Sequence, residues 1–539
     1  MKIERLKGES MTKKRLWLTV ALSALIAPAV VHAQDAQPDY GIKFGGFVKF
    51  DAFNDSRRVV GARDDMFLLY PAARSQITSG PSTSATTSTV GGAGAAACDP
   101  QTVACPVTTT TTTTALLGTD AAYYVALDNR DLNNRGQTHF TAVQSRLIGR
   151  ITAPDAFGAK VTGLLEGDFF GPSEATIYSF GLRHAWINLD WGTTSIRFGQ
   201  DWHPLFLASG VFPGTIQFNP IAPIHPFARN PQIALTQKMG DLKLSLYALE
   251  QSGHADLDTT GTVTTRPLRN GKMPELAAQL VYAAGPITFG GTIDHKRLRP
   301  SDDTNPTLLA GQANTRVGNN DEEVKSTSWQ VFGQFKANDL TVKLSTTIGE
   351  NLYNALSLGG YAVKKDFIID NLTTTNSGMT ATEINTLKAF TKREYLPLKT
   401  QAYWAEIAYG KEVEFGIVGG RIINLGAADY INTSLMYARG GNIKEVITIA
   451  PRIKFTSGKT MIGLEYIYSE AAYMEDDKNY QSIINAVQVL NGVTNPSYTT
   501  LSLNGVSINN GAIRDDKGKI GETYTAINHR IQLSVQQNF

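Results

Sequence analysis

Residues 42–52 read Ile42-Lys43-Phe44-Gly45-Gly46-Phe47-Val48-Lys49-Phe50-Asp51-Ala52. Ile42, Phe44, Gly46, Val48, Phe50 and Ala52 share one parity, and Lys43, Gly45, Phe47, Lys49 and Asp51 share the other. Successive side chains of a β-strand point to opposite faces, so this alternation predicts a strand with an apolar and a polar face. The last residues repeat the pattern, with Ile531, Leu533, Val535 and Phe539 set against Arg530, Gln532, Ser534, Gln536 and Asn538.

Between these segments, strand-length runs come in pairs. Starts fall near residues 42, 143, 159, 178, 195, 231, 241, 276, 287, 327, 340, 400, 413, 445, 460 and 523, which predicts about 16 strands. Short turns rich in Gly, Pro, Asn and Asp join alternate pairs, as in Asp190-Trp-Gly-Thr-Thr194, Ala284-Gly-Pro286 and Ala337-Asn-Asp339. The intervening connections are mostly long, including 55–142, 205–230, 350–399 and 471–522. A soluble sandwich has no reason to put every long loop at one end. An antiparallel transmembrane β-barrel does, with short periplasmic turns and long extracellular loops. Closure of the barrel satisfies every backbone polar group in lipid without a helix. The predicted fold class is therefore all-β, a transmembrane antiparallel barrel over residues 42–539. Aromatic residues near strand ends, among them Trp186, Trp191, Trp202, Trp329, Trp404 and Phe415, fit interfacial girdles or ordinary β-core packing.

Composition agrees. The 539 residues are 18% charged, where soluble domains average roughly 25%. A hydrophobic content of 42% excludes a disordered chain, and a mean hydropathy of −0.16 excludes a helical membrane protein. A net charge of +2 gives no bulk signal for nucleic-acid binding.

The N-terminus reads as a targeting segment. Lys13-Lys14-Arg15 precedes an apolar stretch from Leu16 to Val31, which ends in Val31-His32-Ala33. This is a secretory signal peptide over residues 1–33; the competing reading, a membrane anchor, fits less well because the stretch is short and ends in a small-residue cleavage pattern. Residues 34–41 then form a short periplasmic segment. Residues 1–33 carry six Lys/Arg and two Glu, so their removal takes the net charge from +2 to −2.

The signal sequence, the β-periodicity and the terminal Phe539 together resemble a Gram-negative outer-membrane barrel. In that class a C-terminal strand ending in Phe is read by the insertion machinery. Sixteen strands resembles the porins, and Gly46-Phe-Val-Lys-Phe-Asp-Ala-Phe53 resembles the first strand of the DcaP-like porins. The resemblance implies a homotrimer in outer-membrane lipid.

If the apolar parity faces lipid, the other parity lines a lumen. Its basic residues are Lys43, Lys49, Arg146, Arg150, Lys160, Arg197, Lys238, Lys243, Lys296, Lys336, Lys343, Arg452, Lys454 and Arg530. The acidic ones are Asp51, Glu166, Asp168, Asp201, Asp294, Glu406 and Glu465, an excess of seven positive charges. Strands 4 and 13 are omitted because their parity is ambiguous. A pore lined by one sign concentrates the opposite ion, which predicts a preference for anions such as small organic acids. Several of the lysines also fit a solvated rim at the periplasmic end.

Residues 205–230 are apolar and Pro-rich, unlike a solvated loop, and should pack against something. The third loop of porins folds into the barrel and narrows it. By position this loop corresponds, which makes His203, His225 and Arg229 candidates for the constriction; a lid over the mouth or a subunit contact would also bury it. The loop at 55–142 is Ser/Thr-rich, with an unbroken Thr108–Thr114 run. Cys98 and Cys105 lie inside it and predict a local disulfide in an oxidising compartment.

These readings converge on passive diffusion of small hydrophilic solutes through an outer-membrane porin. The alternative is a structural or adhesive barrel acting through its long extracellular loops. The eight His residues are scattered, and no His-Glu-x-x-His or Gly-x-Ser-x-Gly occurs, so no enzyme, metal or cofactor is expected.

Overall fold

A computed structural model describes residues 40–74, 83–89, 108–114, 131–171, 174–207, 210–251, 255–301, 321–390, 392–475, 501–503, 506–508 and 514–539. Sixteen antiparallel strands close into a barrel. They are β1 (Gly41–Asp55), β2 (Arg146–Ala156), β3 (Ala159–Asp168), β4 (Gly181–Asp190), β5 (Thr194–Trp202), β6 (Arg229–Met239), β7 (Leu242–Leu249) and β8 (Glu275–Ala284). They continue as β9 (Ile287–Leu298), β10 (Val324–Ala337), β11 (Leu340–Glu350), β12 (Tyr395–Tyr409), β13 (Val413–Ala427), β14 (Ile443–Ser457), β15 (Thr460–Met474) and β16 (Thr523–Asn538). Strand β1 closes the ring by pairing with both ends, Asp51 opposite Ser534 on β16 and Lys43 opposite Arg150 on β2. Each expected strand is present and starts within a few residues of its expected position. The hairpins turn where turn residues allow it, as at Asn338 (φ 52°) between β10 and β11 and Gly458 (φ 57°) between β14 and β15.

The first connection is not one loop. Val59–Ala62 pairs with Phe67–Pro71 as a short hairpin, and Gln137–Thr141 extends the wall beside β1. Thr83–Thr89 pairs with Thr108–Thr114. The expected signal peptide at 1–33 and the expected Cys98–Cys105 disulfide lie outside the described residues.

The outward parity of the wall is apolar, as on β1 (Ile42, Phe44, Val48, Phe50), β10 (Trp329, Val331, Phe335) and β16 (Ile531, Leu533, Val535). The largest apolar cluster, however, is inside the barrel. Phe67, Phe170, Phe206, Phe218, Ile224 and Phe227 pack there against wall residues Phe332, Trp404, Val418, Ile422 and Ile467. This corrects two expectations. Trp404 is 4% exposed and faces inward, and Trp202 packs on Phe206 with ring centroids 4.1 Å apart, so neither belongs to a lipid-facing girdle. The inner parity in the middle of β13 is also apolar, because Val418 and Ile422 meet the inserted loop rather than water. With Ile417 and Ile423 on the outer parity, period-2 alternation fades over that stretch. On β4 the cause differs. Glu166 pairs with His184 and Gly167 with Leu182, so Arg183 is the extra residue of a β-bulge. Arg183 and His184 are both 2% exposed, although neighbours in sequence normally lie on opposite faces.

Candidate functional site: the lumen and its inserted loop

Residues 203–228 run between β5 and β6. Leu205, Val211, Ile221, Ile224 and Phe227 are each at most 2% exposed, and burial of such side chains is worth about 1.5–3 kcal/mol apiece. A segment that leaves water must also find partners for its backbone polar groups. The polar parity of the wall supplies them. Gln279 on β8 donates to Pro204 O (3.1 Å) and Gln330 on β10 to Leu205 O (2.8 Å). Lys343 on β11 donates to Phe212 O (3.1 Å), and Lys49 on β1 to Ile216 O (2.8 Å). Glu465 on β15 accepts the N–H groups of Ile216 and Gln217 at 3.1 and 2.8 Å. The loop is therefore tied to strands on several sides of the barrel. It approaches β13 closely enough that a β-carbon at Gly420 would lie 2.9 Å from Ile224. Its far end meets the segment that follows β11, where Phe227 N–H donates to Ala355 O (2.7 Å) and Ser357 donates to Pro223 O (2.6 Å).

Most expected lumen charges are paired. Lys49 lies 3.2 Å from Asp51. Arg197 pairs with Asp201, which also faces His184 at 3.1 Å. Arg452 reaches Glu406 (2.6 Å) and Glu414 (3.0 Å), and Lys454 joins Glu414 at 2.8 Å. Arg530 forks onto Asp55 at 2.9 and 2.7 Å, both side chains fully buried. Arg146 faces Glu166 at 3.2 Å, and Arg183 bridges Glu166 and Asp168 at 2.7 Å each. The excess of seven is thus not seven free charges. The bulge adds Arg183, but Asp55, Asp190, Glu275 and Glu414 on the inner parity reduce the excess. Sequence reasoning missed these residues because they sit at strand ends or on the two strands of ambiguous parity.

A second group is unpaired. Lys43, Arg150, Lys160, Lys238, Lys243 and Lys336 form no ion pair among the described residues, and all but the half-buried Lys243 are exposed. They cluster near the short-turn end of the lumen. Lys43 lies directly opposite Arg150, and Lys238 opposite Lys243.

The three loop candidates are separated. His225 is fully buried within the loop's own packing, where its Nε2 contacts Phe206 O (2.8 Å) and Trp404 Nε1 donates to its Nδ1 (3.2 Å). Burial pushes its imidazole down to about 4. It therefore does not edge a water-filled passage: the apolar loop core encloses it. His203 joins Glu275 (2.6 Å) and Asp294 (3.9 Å), all nearly inaccessible. This is the one group of potential metal ligands among the described residues. Leu205 N–H donates to His203 Nδ1 at 3.1 Å, which leaves the ring proton on Nε2 facing Glu275. The arrangement is a hydrogen-bonded brace at the loop's root, and its tautomer is the wrong one for a metal at Nε2.

Arg229 lies elsewhere, over the Trp202 ring at 5.2 Å. It borders a cavity of about 160 Å³ with Arg183, Asp168, Phe67, Phe170 and Phe218. The cavity is made where the 59–71 hairpin, the inserted loop and the long-loop ends of β3 and β4 meet.

The closed barrel, its lipid-compatible outer face and its loop-crossed lumen define a porin-like barrel of the Gram-negative outer membrane. No family model matches the chain, and no curated protein matches it. Among solved structures it is similar to the outer membrane channel DcaP of Acinetobacter baumannii, with a TM-score of 0.54 at 13% identity over 94% of this chain and 100% of that one. An anion-selective porin from Comamonas acidovorans gives a TM-score of 0.45 at 10% identity, over 93% of this chain and 100% of that one. The likeness to the A. baumannii channel is one of fold.

Proposed function

We propose that this chain is a passive outer-membrane pore for small hydrophilic solutes, that residues 203–228 narrow it, and that it favours anions. The observation that carries the reading is the loop itself: a long apolar segment inside a barrel, tied to β1, β8, β10, β11 and β15 by wall side chains. A barrel that served only to display its outer loops would gain nothing from a polar wall matched to an inserted loop. The anion preference is supported by the unpaired basic group Lys43, Arg150, Lys160, Lys238, Lys243 and Lys336, which raises the local concentration of anions at the short-turn end.

Assembly as a homotrimer belongs to the same reading. Arg421 and Glu445 pair on the outward parity of β13 and β14, beside the exposed Tyr403. An arginine on a lipid face costs about 2–4 kcal/mol near the bilayer midplane, so a polar cluster there fits better against another subunit.

The test is single-channel current of the purified protein in a planar bilayer under a salt gradient. Stable steps with a reversal potential on the anion side are expected. Folded protein that gives no steps overturns the pore, and a cation-side potential overturns the anion preference.

A further inference from the structure

We propose that the cavity beside Arg229 is a binding site for a small aromatic monocarboxylate. The inference rests on the pore reading above and names a solute class for it.

Three guanidinium groups, Arg146, Arg183 and Arg229, gather near two carboxylates, Glu166 and Asp168. The carboxylates are both engaged by Arg146 and Arg183, at 2.7–3.9 Å. Arg229 has no carboxylate partner among the described residues, and its Nη1 is buried without a hydrogen-bond acceptor. A guanidinium withdrawn from water is costly unless it is paired and hydrogen-bonded. Within these five groups positive charge exceeds negative by one, Arg63 also borders the cavity, and Arg229 forms no ion pair among the described residues. A ligand carboxylate pairs with Arg229. A guanidinium also offers parallel N–H donors that match a carboxylate in shape.

The rest of the cavity sets what the carboxylate is attached to. Phe67, Phe170 and Phe218 wall it, with ring centroids 5.9 Å (67–170), 4.6 Å (67–218) and 4.2 Å (170–218) apart. Aromatic pairs favour tilted and edge contacts at such separations, and a ligand ring extends the cluster. The volume of about 160 Å³ suits one ring, because an apolar cavity of about 150 Å³ admits benzene. Asp168 on the wall disfavours a second carboxylate on the ligand. The class is therefore a single ring bearing one negative charge, with benzoate the simplest member.

The test is isothermal titration of the full chain in detergent micelles with benzoate, acetate and benzyl alcohol. Saturable benzoate binding is expected, with acetate and benzyl alcohol each at least tenfold weaker. Arg229→Gln should weaken benzoate at least tenfold, and Arg229→Lys less, while both variants keep the heat-modifiable migration of the folded barrel. Absence of benzoate binding overturns the proposal, as does an Arg229→Gln protein that binds like the parent. Equal binding of acetate overturns the aromatic assignment. The titration does not depend on conduction: benzoate binding by a protein that passes no current sinks the pore and leaves the site, and stable current without benzoate binding does the reverse.

Discussion

Arg452 and Glu406 form an ion pair that holds both backbone polar groups of one loop residue. Gly214 N–H donates to Glu406 Oε2 at 2.8 Å, and Arg452 Nη1 donates to Gly214 O at 2.6 Å, while the two side chains meet at 2.6 Å. Lys343 completes the group at 3.1 Å from Glu406. Both members of the pair are at most 2% exposed. The loop is thus held by a charged clamp on β12 and β14, next to the Glu465 contacts on the neighbouring β15, where Arg452 lies directly across from Glu465, and the Lys49 contact on β1.

Removal of one half of this clamp should release the loop. Arg452→Ala leaves Glu406 with Lys343 alone and leaves Gly214 O without its donor. Breaking a buried ion pair from one side costs about 3–5 kcal/mol. The expected result is a barrel that still folds but shows larger, noisier conductance, with a lower unfolding temperature in detergent. Unchanged conductance and noise would show that the loop does not limit flow.

Gly214→Ala tests the same clamp without touching a charge. A β-carbon at Gly214 would clash with Glu406 Oε1 and lie 2.8 Å from Arg452 Nη2. The pair and the loop then cannot keep their present spacing. Conductance noise should rise as in Arg452→Ala, with a smaller loss of stability. A variant indistinguishable from the parent by current recording would mean that the loop shifts without consequence.

The strand ladder was legible in the sequence because period-2 alternation and turn chemistry are local, and each strand carries its own signal. The apolar composition around Phe206 and Ile224 signalled burial of the third loop for the same reason. What was not legible depends on contacts distant in sequence. The omission of β4 hid Arg183, since a bulge at that position shifts parity without any change in composition. The apolar middle of the inner face of β13 made sense only once Ile224 was placed against it. The charges on the inner parity were counted as if free, because the pairing of Arg530 with Asp55, or of Arg452 with Glu406, needs two strands in register.

The basic group at the short-turn end should set ion selectivity. Lys43, Arg150 and Lys160 can be reversed together to Glu, since none holds an ion pair whose loss would confound the result. The zero-current potential under a salt gradient should move towards cation selectivity, with at least a threefold fall in the anion-to-cation permeability ratio. The shift should shrink as salt rises, because the Debye length falls from about 10 Å at 0.1 M to about 3 Å at 1 M. A potential unmoved at low salt would assign selectivity to the paired charges around the loop instead.

Acid should loosen the loop through His225. Its imidazole titrates near 4 in the folded chain, because burial disfavours the charged form, against about 6.5 for a free histidine. The folded loop therefore holds neutral His225, and the unfolded segment binds the extra proton. The His225 contribution is fully present above pH about 6.5 and is lost as pH falls towards 4, up to about 3 kcal/mol. Below that window, protonated His225 retains no apolar site to occupy beside Phe206 and Trp404. Single-channel noise should rise between pH 6.5 and 4 in the parent. His225→Gln keeps an amide donor and acceptor and has no charge to gain, so its noise should vary less over the same range. Equal pH dependence in the two proteins would place the acid response on other groups of the lumen.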